Sequence, residues 1–224
     1  MHRESKKCPP EDASFLWTDS RLRLEESKTM SRIQNVFAQL REKNERALIP
    51  FITAGDPDIR TTDALLKCFV DNGADCIELG IPFSDPMADG PTIQRASERA
   101  LHNGFSFASI LQILSRFRRY SDVPVILFGY YNPFLQYGIK PLVADAFATG
   151  ADGFLVVDLP PEEADDMLAE TAAIGMDMIF LLAPNSTEDR IELVAEKASG
   201  FIYLVSVTGV TGERDGLDLS LIHI

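Results

Sequence analysis

From residue 47 onward, apolar runs of strand length alternate with stretches of helical period. The runs are "ALIPFIT" (47–53), "CIELG" (76–80), "VILFG" (125–129), "GFLVVD" (153–158), "MIFLLA" (178–183) and "FIYLVS" (201–206). Between them the spacing predicts helices near 60–72, 92–119 with a break at Asn103-Gly104, 140–149, 162–174 and 188–198. A glycine releases a helix into a strand at "NGAD", "TGAD" and "IGMD". The runs are apolar on both faces, as strands covered by helices must be. Alternating units of this kind imply an α/β fold with a parallel sheet. Six strands leave two architectures open. One is an open sheet, and the other is a (β/α)8 barrel, which needs eight strands and typically about 250 residues.

Ahead of this rhythm, "SRIQNVFAQLREKNE" begins cleanly as a helix. Ser31 is a suitable N-cap, and Ile33, Val36, Phe37 and Leu40 fall on one face. Residues 1–29 mix charges and prolines with no period, so they read as a disordered extension before a domain spanning 30–224. The competing reading of 1–29 is a short docking arm carrying Trp17.

Composition narrows the partners. The formal net charge of −13 argues against nucleic acid, whose phosphates call for basic patches. No apolar run approaches the ~18 residues of a membrane span. The N-terminus has no apolar signal-peptide core. Three unclustered cysteines (Cys8, Cys68, Cys76) fit a reducing cytoplasm better than a disulfide framework.

The strands exit into polar, Pro/Gly/Asn/Asp-rich loops: "TAGDPD", "IPFSDPMADGP", "YYNPF", "DLPPEE", "APNSTED" and "VTGVTGERDG". The opposite ends are short and plain. This asymmetry places a site at the carboxyl ends of the strands. Glu78 alternates with Ile77 and Leu79, so both-face burial would put a carboxylate in an apolar interior. Such burial raises its pKa and makes it a usable acid or base near neutrality. The alternative is an ion pair with a structural Lys or Arg, although none lies in the strand runs. Asp85 either serves the site or holds a proline-shaped turn. Asp89 either serves the site or caps the helix opened by Gly90-Pro91. Tyr130, Tyr131 and Tyr203 are read either as site residues or as core aromatics with outward hydroxyls. A metal is a weak explanation of the carboxylates, because His2, His102 and His223 are scattered. Gly209, Gly212 and Gly216 make the last loop a phosphate cradle or a lid, without the GxxxxGK(S/T) of a P-loop.

"PFITAGDPD", "ELGIPFSDPMADGPTIQ", "YYNP", "LPPEE" and "YLVSVTGVTGER" together resemble the tryptophan synthase alpha-subunit family, over roughly Met30 to Leu219. The resemblance implies a (β/α)8 TIM barrel with about six of its eight units in this chain. It implies retro-aldol cleavage of indole-3-glycerol phosphate to indole and glyceraldehyde 3-phosphate. No cofactor or metal is implied in this subunit, since pyridoxal phosphate belongs to the beta subunit, the partner in an alpha2-beta2 tetramer. Matched residue by residue, the family's catalytic pair falls on Glu78 and Asp89. Glu78 would transfer protons at indole C3 and at the glycerol hydroxyl, and Asp89 would accept the indole N–H. Phe51, Ile93 and Tyr130 would line the indole slot, and Tyr203 would position the glycerol chain. Thr211 and Gly212 would belong to a mobile lid, and Asp85 would face the beta subunit.

The family's phosphate site comes from loops after strands seven and eight, whereas this chain ends at Ile224. The resulting expectation is a truncated barrel with exposed strand edges, low stability and little activity. Two other functions compete. One is an inactive barrel fragment that only docks on the beta subunit. The other is a related phosphate-binding isomerase, which would need an acid or thiol at strand ends one and five. Asp56 fits the first of those places, and "APNS" leaves the second empty.

Overall fold

The computed structural model describes residues 30–205. The expectations for residues 1–29, and those for Thr211 and Gly212, lie outside these residues. Six strands form one parallel sheet in sequence order: β1 (Phe51–Thr53), β2 (Ile77–Gly80), β3 (Val125–Gly129), β4 (Gly153–Val156), β5 (Asp177–Leu182) and β6 (Ile202–Leu204). The helices are α1 (Arg32–Lys43), α2 (Ile59–Asp71), α3 (Pro91–His102), α4 (Phe107–Phe117), α5 (Tyr131–Tyr137), α6 (Ile139–Thr149), α7 (Asp165–Ile174) and α8 (Glu188–Lys197). The predicted break at Asn103-Gly104 separates α3 from α4, with Gly104 at φ +77° and Ser106 as the next N-cap.

Strands β2 to β5 bury both faces, whereas Ile202 and Leu204 of β6 are exposed, and side-chain alternation sorts each face into its own cluster. Ile77, Leu79, Val125, Leu127, Phe154, Val156, Met178 and Phe180 face outward onto helix residues such as Leu66, Ile110, Leu114, Leu142 and Met167. Cys76, Ile126, Leu155 and Ile179 face inward and meet Phe128, Val157, Leu181, Phe201 and Tyr203. Helix α1 joins this inner cluster through Ile33 and Phe37, whose ring centroid lies 5.3 Å from that of Phe201. Its start is set by a capping box in which Ser31 Oγ accepts from Gln34 N–H and Gln34 Oε1 accepts from Ser31 N–H.

The aspartates in the three glycine-punctuated junctions tie this end of the sheet together. Asp75, before β2, accepts from Leu48 N–H at 2.8 Å. Asp152, before β4, accepts from Val125 N–H at 2.7 Å, from Arg118 at 2.5 Å and from Arg32 at 2.7 Å. Asp177, opening β5, accepts from the Ser31 hydroxyl. Helix α1 is therefore docked by its N-cap and first residue as well as by its apolar face.

Three elements depart from expectation. Strand β1 is shorter than 47–53, because the Leu48 N–H is taken by a side chain and Pro50 has no N–H to give. The predicted loop "YYNPF" is instead the start of α5. The Asp158 carboxylate accepts from Tyr131 N–H at 2.7 Å, and Pro133 lies in the first turn, where no amide is needed. The helix expected from 162 begins at Asp165, after a 3-10 turn over Pro161–Glu163.

Candidate active site

Glu78 lies in the middle of β2, paired in register with Phe51 on one side and Ile126 on the other. Its neighbours Ile77 and Leu79 face outward, so its carboxylate faces inward and is 5 % exposed. The ion-pair alternative does not hold among the described residues, whose salt bridges all involve other acids. Burial alone pushes its pKa up to about 7, because the charged form loses hydration and gains no counter-charge. A carboxyl group at that value can donate and accept protons near neutrality.

Tyr203 packs against the inner cluster from β6. Its phenol is pushed up by burial and, secondarily, by the charge of Glu78. It is therefore both a core aromatic and a neighbour of the buried carboxylate. Phe51 lies beside Glu78 and meets Phe128 edge-on at 5.2 Å. Gly80 makes room for it, since a Cβ there would come within 2.6 Å of Phe51 Cζ.

Asp89 does not cap α3. The N-cap is Gly90, with Pro91 at the first helical position. The Asp89 carboxylate instead accepts from the Tyr130 hydroxyl at 3.0 Å, and that hydroxyl accepts from Ala88 N–H at 3.0 Å. Half-burial raises the Asp89 pKa, and the Tyr130 hydrogen bond partly offsets the rise. Tyr130 is itself buried, with its ring 5.3 Å from Phe83, so its hydroxyl is a fixed donor. Ile93 is half-buried in the first turn of α3.

Asp85 is exposed on the same loop and accepts from the Ser84 hydroxyl at 2.6 Å, beside Met87, which is 83 % exposed. Asp56 is engaged in a two-pronged ion pair with Arg99, both bonds 2.7 Å, which weighs against an acid–base role for it. No group of three or more His, Cys, Asp or Glu able to hold a metal occurs among the described residues. No described helix is long and apolar enough to cross a membrane.

The structure thus brings Glu78, Phe51 and Tyr203 onto one inner face and fixes Asp89 through Tyr130. The sequence reading missed the Tyr130–Asp89 bond and the roles of Gly80, Phe128 and Asp158. It also missed Asp75, Asp152 and Asp177, for which the repeated glycine-x-aspartate pattern was an available signal.

The tryptophan synthase alpha chain family model matches residues 37–223. The tryptophan synthase alpha chain of Geobacter sulfurreducens is 54% identical over 192 residues, spanning 86% of this chain and 73% of its own. The crystal structure of tryptophan synthase subunit alpha from Legionella pneumophila superposes with a TM-score of 0.77 at 43% identity, covering 79% of this chain and 68% of its own. A structure of the tryptophan synthase a2b2 complex from Pyrococcus furiosus matches with a TM-score of 0.68 at 45% identity, covering 70% of this chain and 64% of its own. The inward glutamate on β2 and these matches agree. The chain belongs to the tryptophan synthase alpha chain family, the TIM-barrel lyases that cleave indole-3-glycerol phosphate in tryptophan biosynthesis.

Proposed function

We propose that Glu78 and Asp89 are the catalytic residues of this cleavage. Protonation of indole C3 turns the ring into an electron sink. The bond from C3 to the glycerol chain then breaks, its electron pair returns to the ring, and the adjacent hydroxyl loses its proton as the aldehyde forms. Glu78 serves both proton transfers, and the observation that carries this is its burial to a pKa of about 7 with no counter-charge among the described residues. Asp89 accepts the indole N–H and stabilises the charge that develops there. Tyr130 orients Asp89 and closes one side of the indole slot, with Phe51 and Ile93 on the others. Tyr203 positions the glycerol chain beside Glu78. Carboxylates carry every proton in this scheme, which assigns no cofactor to this chain.

Replacing Asp89 by asparagine is expected to lower kcat by about two orders of magnitude or more, with a much smaller change in KM. Steady-state indole release measures both, and a variant that loses only thermal stability would return Asp89 to a structural role. The Tyr130→Phe variant should lose about tenfold in kcat/KM. Loss of the donor also removes the influence that holds the Asp89 pKa down, so the limb of the pH–rate profile set by Asp89 should move to higher pH. A profile that does not move would separate Tyr130 from Asp89.

The proposed setting is the cytoplasm, in an alpha2-beta2 assembly with a pyridoxal-phosphate-dependent beta subunit. The support is the exposure of Asp85 and Met87 and the a2b2 complex of the Pyrococcus relative. Asp85→Ala should weaken association with the beta chain by about tenfold. Titration calorimetry measures this, and unchanged affinity would remove Asp85 from the interface.

A further inference from the structure

We propose that Thr53 is a substrate-contacting residue of the same site, its hydroxyl hydrogen-bonding a hydroxyl of the substrate's glycerol chain. The inference rests on the assignment of Glu78, Asp89 and Phe51 to that site.

Thr53 ends β1 and is 7 % exposed. Its neighbours Ile52 and Ala54 pack in the outer cluster, so its side chain faces inward, as that of Phe51 does. It pairs in register with Gly80, one inward-facing step beyond the Phe51–Glu78 pair. Gly80 contributes no side chain there, and the Phe51 ring leans into the place a Cβ would take. Thr53, Phe51 and Glu78 therefore share one corner of the interior.

The Thr53 hydroxyl oxygen is buried and has no hydrogen-bond partner among the described residues. The protein's other buried threonines are satisfied. Thr62 bonds Asp58 O and Gly55 N–H, and Thr171 bonds Met167 O at 2.7 Å. A buried hydroxyl without a partner costs stability, and valine would fill the same place in a strand with the same branching. Sites built to bind polar ligands carry such groups, unpaired until the ligand arrives. Within the proposed reading, Asp89 takes the indole N–H, Glu78 the hydroxyl next to the ring, and Tyr203 positions the chain beside Glu78. The remaining side-chain hydroxyl is the group left for Thr53, and a hydroxyl can both give and accept there.

The test compares Thr53→Val and Thr53→Ser with the parent chain, using indole-3-glycerol phosphate and an analogue whose side chain lacks both hydroxyls. Thr53→Val should melt at or above the parent, yet lose about tenfold or more in kcat/KM. Its affinity for the dehydroxylated analogue should stay within about twofold of the parent, and Thr53→Ser should retain most activity. Unchanged kcat/KM in Thr53→Val would overturn the proposal. So would an equal loss of affinity for the analogue, or a lowered melting temperature, which would mark the hydroxyl as structural. Glu78→Gln run in parallel distinguishes the failures. If it keeps turnover, the site assignment falls and Thr53 with it. If it loses turnover while Thr53→Val changes nothing, the Thr53 inference alone falls.

Discussion

Glu78→Gln should lower kcat for indole release by about three orders of magnitude and, at about pH 8, should make the protein more stable. The first effect follows from the proposed role. Glutamine keeps the shape and burial of the side chain but cannot exchange a proton. The second follows from burial. The folded pKa of about 7 lies above the model value of 4.5, so between these values the native state holds a proton that the unfolded chain has released. Stability from this group is therefore present at low pH and falls as pH rises through that window. Above it, the charged carboxylate costs the native state of order 3 kcal/mol, less whatever the buried glutamine amide costs in its place. Thermal melts of parent and variant at about pH 5 and pH 8 measure the sign: the variant's advantage should appear at the higher pH and shrink at the lower. A variant that turns over normally, or one whose relative stability has the opposite pH dependence, would contradict the assignment.

Asp152→Ala is expected to cost about 3–5 kcal/mol of folding stability. Asp152 accepts from Arg118, Arg32 and Val125 N–H, and its side chain is 5 % exposed. Removing it leaves Arg118 charged and largely buried, still held by the carbonyls of Gly150, Val123 and Ser121. It also orphans the Val125 amide at the start of β3. The position of Arg118 leaves no slack on the other side. Gly150 is at φ +103°, and a Cβ there would come within 2.5 Å of Arg118 Cγ. Arg32→Ala should be far milder, at about 1 kcal/mol or less, because the Arg32 side chain is half in solvent. Denaturant titrations of the two variants decide this, and similar losses for both would mean that the network is not organised around Asp152.

Much of the fold is legible without coordinates. The six apolar runs become the six strands, and the doubly apolar pattern anticipates that strands β2 to β5 are covered on both faces. The break between α3 and α4 and the Ser31 cap follow from local chemistry. Helix α5 was not legible, because its amide end is satisfied by Asp158, 27 residues away, and a segment rich in Asn and Pro otherwise reads as a turn. Among the acids, the unusual place of Glu78 is visible in the pattern of its own strand. The placement of Asp89 is not, since its partner Tyr130 is 41 residues distant.

The sequence by itself determined the alternation of strand and helix, the inward carboxylate of β2 and the motifs that carry the family. These are set by residues within a few positions of one another, where period and turn chemistry act. The tertiary structure alone decided that Asp89 is held by Tyr130 rather than spent on a helix cap. It also decided that the junction aspartates dock α1 and the strand ends, and that the Thr53 hydroxyl lies buried beside Phe51 without a partner among the described residues. Each of these depends on which groups share a buried space once the strands have paired. Burial turns a hydroxyl or a carboxylate from a solvated surface group into one that must find a partner or wait for a ligand.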